Sequence, residues 1–137
     1  MDIAVAIAVE KVQRYIFQVI DKSQADEKTL RNIISASDNI AMNILKEIET
    51  EFNLNAQQSK DDNKILWISG KVVFRSKETE DEIKVKLKKL YQKIYADYQG
   101  NIFLNYVTFS IPDDKKDNME ILRKAERLLK ESATKSQ

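Results

Sequence analysis

The sequence predicts an α+β domain, a four-stranded antiparallel sheet with helices on one face and elements in the order β-α-α-β-β-α-β-α. Three observations carry this expectation. Residues 3–9 are an unbroken apolar run with β-branched side chains at alternate positions, as in a strand covered on both faces. Residues 65–74 hold two short apolar runs about a Ser69-Gly70-Lys71 corner, the pattern of a β-hairpin. Residues 27–52 repeat apolar side chains at a helical period.

Taken in order, the first strand sets Ile3, Val5, Ile7 and Val9 on one face and Ala4, Ala6 and Ala8 on the other. The alanine face is thin, so a helix or a partner can approach the backbone there. Glu10 leads into residues 11–20, where Val12, Ile16, Val19 and Ile20 recur at helical spacing beside Tyr15 and Phe17. After a polar break at 21–26, the long helix carries Leu30, Ile33, Ile34, Ile40, Ala41, Ile44, Leu45, Ile48 and Phe52, and Ser35 and Ser37 suit a close contact with the sheet. Residues 53–62 are polar and form a loop in which Asp61 and Asp62 read as a solvated turn.

In the hairpin, Gly70 supplies the positive φ of a tight turn. Thr79 and Glu82 have the spacing of a helix cap, ahead of Ile83, Leu87, Leu90, Tyr91, Ile94 and Tyr98. The lysines at 84, 86, 88, 89 and 93 form that helix's solvated side. Gln99-Gly100-Asn101 ends it. Residues 102–111 are a β-branched and aromatic strand closed by Pro112, and residues 118–132 are a last amphipathic helix with a frayed tail at 133–137. Two helical crossovers joined through a hairpin make a split βαβ, ferredoxin-like topology with the first strand central.

One domain is expected from 137 residues with 42% hydrophobic content. Twenty-three basic residues against 22 acidic ones give no strong overall pull toward nucleic acid or an anionic membrane. There is no cysteine and no histidine, which excludes disulfides, the usual zinc sites and imidazole acid-base chemistry together. The apolar run at 3–9 is about seven residues, far short of a membrane span, and only Met1 and Asp2 precede it. The expected location is therefore cytoplasmic.

Val12-Gln13-Arg14-Tyr15-Ile16-Phe17 after a strand, Leu30-Arg31 followed by small residues, the ILWISGKVVF hairpin with Ser69-Gly70, and the strand at 102–111 together resemble a palm domain of the large subunit of type III CRISPR effector complexes. The resemblance extends over nearly the whole chain and implies a relative of that subunit's first, catalytically silent palm, or a free-standing palm of the superfamily that includes GGDEF cyclases. Active palms hold two divalent ions about 3.5–4 Å apart with carboxylates on the first strand and at the hairpin. Where the resemblance places those acids, this chain has Ala6 or Ala8 and Lys71. Glu10 is the one acid nearby, and a carboxylate suits a helix N-terminus.

The expected function is thus a palm without polymerase or cyclase activity, with no metal and no cofactor, acting in antiviral defence through another palm, an effector-complex subunit or a second copy of itself. A phosphate-binding corner is expected from Glu10, Lys11, Arg14, Ser69, Gly70 and Lys71, where helix N–H groups and cations can meet a nucleotide without metal. Two other classes compete: an RNA-binding ferredoxin-like module, which needs aromatics on an open sheet, and a plain oligomerisation domain.

Overall fold

The structure, a computed structural model, describes residues 2–10, 27–54, 63–112 and 117–135. Strand β1 (Asp2–Glu10) is followed by helix α1 (Glu27–Glu51), the hairpin of β2 (Lys64–Ile68) and β3 (Lys71–Ser76), helix α2 (Glu80–Asp97), strand β4 (Phe103–Ile111) and helix α3 (Asn118–Lys135). The sheet order is β2-β3-β1-β4, antiparallel throughout, so β1 is central as the sequence predicts. The helix expected over 11–20, with Lys11 and Arg14, lies outside the described residues, as do Asp61 and Asp62 and the side chains of 27–38, among them Ser35 and Ser37.

The alternation in β1 divides the core in two. Val5 and Ile7, with Val72 and Phe74 of β3 and Leu104 of β4, face Ile44, Leu45 and Ile48 of α1 and Ile83, Leu87, Leu90 and Ile94 of α2. Ala4, Ala6 and Ala8, with Val73 and Ile111, face Ile121, Ala125 and Leu129 of α3. This corrects the expectation of helices on one face. The cause is the missing side-chain volume of three alanines, which lets α3 seat against the backbone of β1 with Ala125 fully buried between them.

Local signals set the element ends. The Thr79 hydroxyl accepts the N–H of Glu82 at 3.2 Å, capping α2 as its sequence predicts. Gly100, at a φ of +77°, closes that helix by donating to the carbonyl of Tyr95. Its own Cβ, if it had one, would lie 2.9 Å from the Tyr95 ring. Helix α3 continues through Lys135, beyond the expected end at Ser132, because the Ser132 hydroxyl is fixed to Asn105 and no breaker follows it.

The lysines of α2 are largely neutralised. Lys84 pairs with Glu80, Lys86 with Glu78, Lys89 with Glu51 and Lys93 with Glu47. The Lys93 ammonium is held above the ordinary lysine value by its hydrogen bond to Glu47 and by that carboxylate's charge. Because this folded value is raised, the contribution is complete at neutral pH and is lost only as the amine deprotonates in alkali.

Candidate functional site

The end of β1 and the hairpin corner meet. The Val9 N–H donates to the Gly70 carbonyl at 2.8 Å, and one step back Ala8 pairs across the sheet with Lys71. Gly70 has a φ of +90° with open space around its missing Cβ, so backbone conformation, not crowding, requires glycine there. Ser69 is exposed beside it, and Lys71 is half-buried.

Register fixes the faces. Ala8 and Glu10 share the α3 side of β1, where Ala8 lies opposite Asn105 and Glu10 opposite Phe103 of β4. Lys71, paired with Ala8, belongs to the same side. Glu10, Ser69, Gly70 and Lys71 are therefore brought to one end of the sheet, while Lys11 and Arg14 follow Glu10 outside the described residues. Neither Glu10 nor Lys71 has an ion-pair partner among the described residues.

The positions expected to carry acids in an active palm are covered. Ala6 is 0% exposed and Ala8 6%, both beneath α3. A carboxylate at either position would lose its hydration under that helix, a cost a bare apolar site does not return. Among the described residues no group of three or more acidic side chains is placed to hold a metal ion.

Asn105 is the residue that sequence reasoning missed. It is 9% exposed, donates to the Leu129 carbonyl at 2.9 Å, and accepts the Ser132 hydroxyl at 2.9 Å. Through it the last turns of α3 are held over Ala8. The available signal was one amide on an otherwise apolar face: Phe103, Val107, Phe109 and Ile111 fall at the same parity of β4.

No family model and no curated protein matches this chain. Solved structures match its fold. The crystal structure of a Csm1–Csm4 cassette in complex with pppApApA superposes at a TM-score of 0.66 and 15% identity, over 98% of this chain and 19% of that one. The same cassette with AMPPNP gives the same values. Csm1 from T. onnurineus matches at a TM-score of 0.63 and 16% identity, over 97% of this chain and 19% of the other. Csm1 is the large subunit of type III CRISPR complexes, and this chain spans about a fifth of the length of those structures. The likeness is one of fold, and that fold is a ferredoxin-like palm.

Proposed function

We propose that this chain is a catalytically silent palm domain of a type III CRISPR-type antiviral assembly, working as an interaction module beside another palm or an effector subunit. The observation that carries the reading is the Ala8–Lys71 pair at the junction of β1 and the hairpin, in a fold matched over 98% of the chain by Csm1. Two-metal transfer requires carboxylates there, whereas a buried alanine offers no ligand and a lysine repels a divalent cation. Lys71, with Lys11 and Arg14, instead provides charge for the phosphates of a nucleotide held without metal.

The competing RNA-binding reading requires an open sheet on which bases stack. Here α1 and α2 cover one face and α3 packs on the other, so the half-buried aromatics Trp67, Tyr106 and Phe109 do not form a flat platform.

The test is a titration of the purified chain with labelled ATP and with single-stranded RNA, alongside a size measurement. Salt-sensitive ATP binding that persists in EDTA supports the reading. Preferential RNA binding would favour the module, and self-association without either ligand would favour a plain oligomerisation domain.

A further inference from the structure

The sheet has two edges, and they differ. Strand β2 is blunted: it has five residues, opens on Lys64 and carries a bulge at Ile65. Strand β4 has nine residues, pairs with β1 without a bulge, contains no charged side chain, and meets proline only at Pro112 beyond its end. Among the described residues nothing covers it against another strand.

Which groups it offers follows from the far side of β1. Because Val9 bonds Gly70, the odd-numbered residues of β1 aim their backbone groups at β3 and the even-numbered ones at β4. Ala4, Ala6 and Ala8 lie opposite Phe109, Val107 and Asn105, so these use their backbone groups on β1. Leu104, Tyr106, Thr108 and Ser110 therefore direct N–H and C=O outward, where no described residue bonds them.

The neighbourhood of this edge is basic. Between the end of β4 and α3 lies a cleft of about 460 Å³, floored by Phe109 and Ile111, to which α3 contributes Arg123, Lys124 and Arg127. The Lys124 ammonium lies 4.9 Å from the Phe109 ring centroid. Arg123 and Arg127 have no ion-pair partner among the described residues. The acids of the cleft, Asp117 and Glu120, belong to the start of α3, where Asp117 accepts the Met119 N–H.

We propose that β4 is a docking edge that receives an acidic extended segment of a partner protein as a fifth strand. Main-chain bonds to Tyr106 and Thr108 would supply its register, and alternate carboxylates on the α3 side would meet Arg123, Lys124 and Arg127. A second copy of this chain is a poorer occupant. Pairing β4 with its own twin would bring two α3 helices onto one face with their basic flanks opposed, and β4 has no acid to offset them. This inference is independent of the phosphate corner.

The test uses amide exchange on the full chain with three probes: a short acetylated peptide of alternating valine and glutamate, its lysine counterpart, and single-stranded oligouridylate. Without a probe, Val107 and Phe109 should be protected and Tyr106 and Thr108 should not. The glutamate peptide should slow exchange at Tyr106 and Thr108 by about tenfold or more. Thr108→Pro removes an N–H that bonds no described residue and should abolish peptide binding. Arg123→Glu with Arg127→Glu, which leaves the strand intact, should weaken it about tenfold. Equal binding of the lysine peptide, a response to the RNA alone, or a dimer that already protects Tyr106 and Thr108 would each overturn the proposal.

Discussion

The Val9 N–H and the Gly70 carbonyl, 2.8 Å apart, join the end of the central strand to the tip of the hairpin. Through this bond the register of β1 against β3 places Ala8 opposite Lys71, and through β4 it places Ala8 opposite Asn105. A buried alanine, a lysine across from it and a helix above them are consequences of one strand alignment. A slip of one residue would turn the alanines toward α1 and the isoleucines toward α3.

Ile44 of α1 is 1% exposed and lies in the larger core with Ile48, Val5 and Phe74. Ile44→Ala should destabilise the fold by about 2–5 kcal/mol, through lost burial and the cavity left behind. Urea unfolding measures it. A loss below about half a kcal/mol, the level of ordinary surface changes, would mean that this face of α1 is not packed on the sheet.

Asn105 should matter as much as an aliphatic core residue, although by type it is polar. Asn105→Ala removes the amide's bonds with the Leu129 carbonyl and the Ser132 hydroxyl, and should cost about 1–3 kcal/mol. Amide exchange should show the loosening concentrated in the last turns of α3. Unchanged stability and exchange would place the end of α3 elsewhere.

Lys71→Glu should weaken ATP binding more than Lys88→Glu, an exposed control on α2 far along the chain from the corner. The ATP affinity should fall as salt is raised and should persist in EDTA. Equal effects of the two reversals would reduce the corner to nonspecific attraction and leave the fold assignment standing.

Much of this was legible in the sequence because period and turn chemistry are local. The Ile/Ala alternation of β1 marked a central strand, Gly70 marked the hairpin corner, and the Thr79–Glu82 spacing marked the cap. The apolar stripe of α3 showed that it packs on something but not on which face, since that is decided by the volume missing at Ala4, Ala6 and Ala8 on a distant strand. The outward backbone groups of β4 were hidden for a similar reason. Edge position and hydrogen-bond parity belong to the assembled sheet and leave no mark on FLNYVTFSI itself.

The proposed lack of two-metal chemistry is tested by incubating the purified chain with ATP or GTP and magnesium or manganese and separating the products. The expected outcome is no cyclic or linear oligonucleotide above a heat-killed control. Metal-dependent product that disappears on Glu10→Gln or Asp61→Asn would contradict it, and would make those carboxylates, not the Ala8–Lys71 pair, the residues that define this site.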